Sequence, residues 1–121
     1  MFSSSSQILS AVLFGSSAKG DHTGKSDVDI AVYVREPLKF SLPDRLAIHG
    51  DCCRALKRDD VNLVVMNQAE NLILLEHIIR EGIVIYSIDQ DELDIFMVET
   101  LHKVIDFRNH RDRAMYPYKN A

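Results

Sequence analysis

Gly15-Ser16-Ser17-Ala18-Lys19-Gly20 follows one apolar run, and Ser26-Asp27-Val28-Asp29-Ile30-Ala31-Val32 opens a second. Ten residues separate Ser16 from Asp27. Asp27 and Asp29 are two apart, so on a strand their side chains share a face, roughly 6.5–7 Å apart at Cα. Val28 and Ile30 then point the other way, into a core. Two unpaired carboxylates this close repel each other unless a cation relieves them. Magnesium suits such a pair, because it takes one or two carboxylates, keeps waters and completes its shell with phosphate oxygens. Gly15 lets backbone approach a ligand with no Cβ in the way. Ser16 to Lys19 can open a helical turn whose free N–H groups attract anions. Ser16 adds a hydroxyl and Lys19 a cation. Ser26 either braces the loop through a backbone hydrogen bond or contacts phosphate. The constellation fits a nucleotide's phosphates and the metal ion that neutralises them.

The elements that must position these residues read as a small α/β (α+β) domain. Ala11 to Phe14 is a short buried strand ended by Gly15. Asp21 to Lys25 holds Gly24 and no apolar side chain, so it is a surface loop, with His22 near the phosphate turn. A strand runs on from Asp27. Ser41-Leu42-Pro43-Asp44 starts a helix, with proline early and an acid in the first turn. Leu42, Leu46, His49, Cys53 and Leu56 fall on one face at helical spacing and are expected inward. Val61 to Met66 is a third strand. Ala69 to Glu81 is a second helix, with Leu72, Leu75, Ile78 and Ile79 inward, His77 structural and Gly82 as its stop. Ile83 to Tyr86 is a fourth strand. Asp91 to about Phe107 is a third helix, with Leu93, Phe96, Leu101, Val104 and Phe107 on one side. The expected architecture is a mixed sheet of about four strands with helices packed on it. Residues 1–121 form one domain, in which 88–121 are a C-terminal helix and a basic tail.

Composition narrows the function classes. A chain of 121 residues supports one core but no separate substrate domain. Its apolar fraction of 46% is ordinary for a globular protein. A net charge of −4 argues against a broad nucleic-acid surface. No apolar run approaches the roughly 20 residues that span a bilayer. The start lacks the basic region of a signal peptide. The vicinal Cys52 and Cys53 do not suit a mutual disulfide, which fits a reducing cytoplasm. With His49 alone beside them they do not make a zinc pattern.

Gly15-Ser16, ten residues, Asp27-x-Asp29 resembles the signature of the DNA polymerase β-like nucleotidyltransferase superfamily. The fuller string GSSAKG…SDVDIAV is similar to its minimal branch, the small MNT proteins. The resemblance extends to about residue 86, where Ile83 to Tyr86 is similar to the strand that ends the minimal core. It implies Mg2+-dependent transfer of AMP from ATP to a hydroxyl, with Gly15, Ser16, Lys19 and Ser26 on the nucleotide. Asp27 and Asp29 would hold the metal. Many such proteins act as antitoxins of a HEPN-domain ribonuclease toxin. The acceptor is then a tyrosine of that partner, in a hetero-oligomer.

The sequence departs from the family in two places. Active members usually carry a third carboxylate on the third strand, where this chain has Val61-Asn62-Leu63-Val64. Asparagine can offer a metal its carbonyl oxygen but cannot act as a general base. Asp60 is two residues earlier, on the same strand face, and is the alternative third catalytic carboxylate; its other reading is a solvated turn residue. The family also commonly has a helix before the first strand, whereas only about ten residues precede Ala11. Either that helix is lost, leaving apolar surface for a partner, or the chain starts differently from a full-length relative. The tail from Arg108 to Lys119, with Tyr116 and Tyr118, reads as a solvated charge run or a partner-binding segment. Two alternatives to the enzyme stay open: a binding module that neutralises a toxin by complex formation, and a small-molecule nucleotidyltransferase of antibiotic-modifying type.

Overall fold

The computed structural model describes residues 7–15 and 28–115, with side chains to residue 110. The element order is β1 (Ile8–Phe14), β2 (Val28–Val34), α1 (Leu42–Leu56), β3 (Val61–Val65), a 3-10 turn (Met66–Gln68), α2 (Leu72–Glu81), β4 (Ile83–Ser87) and α3 (Gln90–Met115). The strands make one mixed sheet in the order β3-β2-β1-β4. β1 runs antiparallel to both β2 and β4, and β2 runs parallel to β3. Phe14 pairs with Asp29, and Asp29 pairs with Asn62. The end of β1 and the head of β2 therefore meet at one end of the sheet.

Both sheet faces are covered. Val28, Ile30, Val32 and Val34 of β2, with Val61, Leu63 and Val65 of β3, pack with Phe40, Ile48 and Cys52 beneath α1. Val12, Phe14 and Ala31 face the other way, onto Met66, Leu75, Ile78 and Leu93. Alternation along β2 thus sends Val28 and Ile30 to the α1 side and leaves Asp29 on the α2–α3 side, half-buried. Edge strand β4 keeps Ile83, Val84 and Ile85 exposed.

The helix starts follow local chemistry. Asp44 Oδ2 accepts from the Ser41 backbone N–H and from Ser41 Oγ, at 2.9 and 3.0 Å. Asn71 Oδ1 accepts from the N–H groups of Ile73 and Leu74. Asp89 Oδ1 accepts from the N–H of Glu92.

Several expectations need correction. Met66 leaves the strand and opens the 3-10 turn, so α2 begins at Leu72 rather than Ala69. Asn67 explains the break: its side chain bonds both the N–H and the C=O of Val34, taking over where β3 stops. On α1, Leu42 and Leu46 are exposed rather than inward, and Leu56 is 40% exposed. The buried α1 residues are Ile48 and Cys52. The stripe of Leu42, Leu46 and His49 instead flanks the outer edge of β3, where Arg45 donates to Leu63 O and the His49 ring bonds Val61 O. Those side chains occupy edge carbonyls that a further strand would need. Of the α3 residues expected on one side, Leu93 and Val104 are buried and Phe107 is exposed.

Gly82 ends α2 for a reason other than left-handed geometry, since its φ is −77°. A Cβ there would overlap Ile78 O and Val12 Cγ1. Close approach of the chain to β1 is what demands glycine. Gly82→Ala should therefore destabilise the fold by roughly 1–3 kcal/mol through overpacking, measured as a shift in urea midpoint with unchanged slope.

Cys52 is fully buried and Cys53 half-buried, both as free thiols. Burial, then the adjacent Cys53 and Asp51, push the Cys52 thiol up to about 11. The unfolded chain would ionise this thiol near pH 9, before the native one does. The stabilisation from the protonated native thiol is complete below that pH and is lost as pH rises toward 11. Under native conditions near neutrality, iodoacetamide should modify Cys53 and spare Cys52. Peptide mapping checks this, and equal labelling would contradict the packing.

Candidate active site

Three strands converge on Asp29. Gly15, at the end of β1, has φ +78°, a conformation that favours glycine. A Cβ at Gly15 would overlap Asp29 Oδ2. On the other side, Asn62 Nδ2 donates to Asp29 Oδ1 at 3.0 Å. The carboxylate is thus held between a bare Cα and a neutral amide. Its backbone is fixed on both sides by the Phe14 and Asn62 pairings.

The predicted site residues divide into three groups. Gly15 and Asp29 come together, with Asn62 directly beside Asp29. Asp60 precedes β3, and its carbonyl accepts from the N–H of Val28 at 3.0 Å. Its carboxylate is gripped by Arg58, with Nε on Oδ1 and Nη2 on Oδ2, both at 2.6 Å. Such a two-point pair is the strong form of this interaction. Ser16, Lys19, Ser26, Asp27 and His22 lie outside the described residues. His77, read as structural, packs its ring edge-on to Phe14 at a 6.3 Å centroid separation.

Sequence reasoning missed Arg58 as the partner of Asp60. An Arg two residues before an Asp is too common a pattern to signal a fork. It also missed how closely Gly15 backs onto Asp29, which only the β1–β2 register reveals.

The donor set suits a hard cation. Asp29 presents carboxylate oxygens, and Asn62 adds a polar neighbour without a second charge. Among the described residues no three His, Cys, Asp or Glu side chains converge on a metal position. Asp29 near the head of β2 thus lies directly against the bare Cα of Gly15 at the end of β1.

Residues 1–91 match the family described as polymerase beta, nucleotidyltransferase. No protein of curated function matches the chain in sequence. Among solved structures, a chain of a toxin–antitoxin complex with AMP-PNP superposes with a TM-score of 0.74 at 25% identity, over 90% of this chain and 84% of that one. A chain of the MntA–HpeT toxin–antitoxin mutant gives 0.75 at 23% identity, over 91% and 85%. A chain of the tri-AMPylated Shewanella oneidensis HEPN toxin in complex with MNT antitoxin gives 0.70 at 22% identity, over 95% and 86%. The family match spans most of the chain and takes in Gly15 and Asp29, and the chain therefore belongs to the polymerase β nucleotidyltransferase family.

Proposed function

We propose that this chain is an antitoxin-type nucleotidyltransferase that transfers AMP from ATP to a hydroxyl, most simply a tyrosine, of a partner HEPN toxin. The observation that carries the reading is Asp29 at the head of β2, clasped between Gly15 and Asn62. Support also comes from the solved relatives: one complex is with AMP-PNP and another holds a tri-AMPylated HEPN toxin with its MNT antitoxin.

In this reading Gly15 and Ser16 hold the phosphates, with Lys19 and Ser26 beside them, and Asp27 and Asp29 hold Mg2+. The ion, when bound, neutralises the phosphate charge and polarises the phosphoryl group. The acceptor oxygen forms a bond to the α-phosphorus, the bond to the bridging oxygen breaks, and pyrophosphate leaves. The chain's own residues act by position and charge. Asp29 Oδ2 lies in the space that the missing Gly15 Cβ leaves open, and Asn62 donates to the other oxygen. The hydroxyl proton has no acceptor at position 62, because an amide does not take one. Asp60 could serve as a third carboxylate only after parting from Arg58.

Asn62 also favours a second reading. The same fold could neutralise its toxin by binding alone, with catalysis impaired. Intact mass separates the two, with the chain, its HEPN-domain neighbour, ATP and Mg2+ incubated together. The enzyme reading expects the partner to gain one AMP or a small multiple. Asp29→Asn should reduce that gain at least 100-fold while leaving the circular dichroism spectrum and complex formation unchanged. No mass gain on any component, with a stable complex, would support the binding module instead.

Asn62→Asp should tighten Mn2+ binding to the nucleotide complex, read by electron paramagnetic resonance, and speed transfer. It should also lower stability without metal, since a like charge would then lie beside Asp29. An unchanged Mn2+ affinity would remove Asn62 from the site.

A further inference from the structure

The chain leaves α1 through a tight turn that ends against the head of β2. Lys57 N–H donates to Arg54 O and Arg58 N–H to Cys53 O, at 3.3 and 3.1 Å. These two bonds close the last turn of α1, with Lys57 in the left-handed conformation at φ +56°. The turn delivers Arg58 to Asp60, and the Arg58 side chain is only 19% exposed there. Its guanidinium takes both Asp60 carboxylate oxygens. The Asp60 carbonyl in turn accepts from the Val28 N–H at 3.0 Å. That bond is the first rung between β2 and β3, since Val28 pairs with Val61 and Asp29 with Asn62. β3 begins at Val61, so the carbonyl that closes this rung comes from the turn and not from the strand. End rungs of a ladder are the first to open.

We propose that Arg58 and Asp60 are positioning residues for the metal site: their fork holds the head of β2, so that Asp29 keeps its place between Gly15 and Asn62. The inference rests on the nucleotidyltransferase reading above and gives Asp60 a role in it other than that of third carboxylate. The rung that the fork holds lies at Val28, next to Asp29. The same turn leads into β3 two residues before Asn62, so one fork orders both sides of the 3.0 Å bond between Asn62 and Asp29. The core does not depend on it. Ile30 and Val32, paired with Leu63 and Val65, set the register from inside the sheet. An ion pair whose carboxylate is 38% exposed adds little to global stability. A two-point fork does fix geometry. Groups that orient a metal's ligands act in this way without touching the ion.

Uptake of Mn2+ with ATP by the full chain, read by electron paramagnetic resonance, tests this without any transfer activity. Hydrogen exchange of the Val28 amide and the urea midpoint are measured beside it. Arg58→Gln and Asp60→Asn should each weaken Mn2+ uptake by roughly tenfold. Each should speed exchange at Val28 and leave the urea midpoint nearly unchanged. The double variant should be no worse than either single one, because the two residues act as a unit. Arg58→Lys keeps the charge but not the fork, and should recover part of the affinity. Tighter Mn2+ uptake in Arg58→Gln overturns the proposal, since it would mark Asp60 as a metal ligand once released. Additive losses in the double variant also overturn it. So does a urea midpoint that falls sharply in both single variants, which would make the fork merely structural. Unchanged Mn2+ uptake in Arg58→Gln and Asp60→Asn overturns the fork's role alone. A wild-type chain that takes up no Mn2+ with ATP overturns the nucleotidyltransferase reading and the fork's role with it.

Discussion

The candidate site depends on how closely the end of β1 can approach the head of β2. The Phe14–Asp29 pairing brings Gly15 onto the Asp29 carboxylate with no room for a side chain. Any other residue at position 15 would push the carboxylate aside and would also have to accept a φ of +78°. Two constraints therefore act at one position, one steric and one conformational. A chain that met only one of them would lose either the turn or the carboxylate's place beneath it.

The sheet makes that approach rigid. β2 lies between β1 and β3, so hydrogen bonds from two strands fix the backbone of Asp29. Below it, Val28, Ile30 and Val32 pair with Val61, Leu63 and Val65 and lie in the core beneath α1. A one-residue slip would send this whole set to the wrong face. The aliphatic residues that stabilise the sheet thus also set the register that places Asn62 beside Asp29. On the far side, Glu76 takes Arg80 from its own helix and Arg108 from α3, tying the long helix to α2. That tie is too far along the chain to be read from local pattern.

Short apolar runs, and the alternation from Asp27, made the four strands legible, and Ser41-Leu42-Pro43-Asp44 marked a helix start through its capping chemistry, whereas the cap at Asn71 was passed over in favour of a start at Ala69. The mixed sheet and its three helices followed from those signals. Helix faces were less legible. Leu42, Leu46 and Leu56 have the spacing of a buried stripe, yet Ile48 and Cys52 are the residues that reach the core. Helical periodicity reports that an apolar stripe exists, not which surface it meets, and α1 carries two. The same ambiguity recurs on α3. At the site, Gly15 and Asp29 were visible as types and spacing. That Asn62 bonds Asp29 while Arg58 engages Asp60 was not, because both depend on side-chain directions at strand ends.

An amide rather than a carboxylate at position 62 has a cost and a gain with one origin. A carboxylate there would be a like charge at about hydrogen-bonding distance from Asp29, and the pair would stay apart or take up a proton until a cation arrived. An amide in the same place donates to Asp29 and holds it ready with no cation present. It cannot remove a proton from an incoming hydroxyl. Under the nucleotidyltransferase reading, the chain is therefore better arranged to present a nucleotide than to activate an acceptor. The proton must then leave to solvent, or to a basic group that arrives with the acceptor. Acceptor choice in such a site rests less on the reacting hydroxyl than on the surface that carries it, which puts the burden of specificity on protein–protein contact.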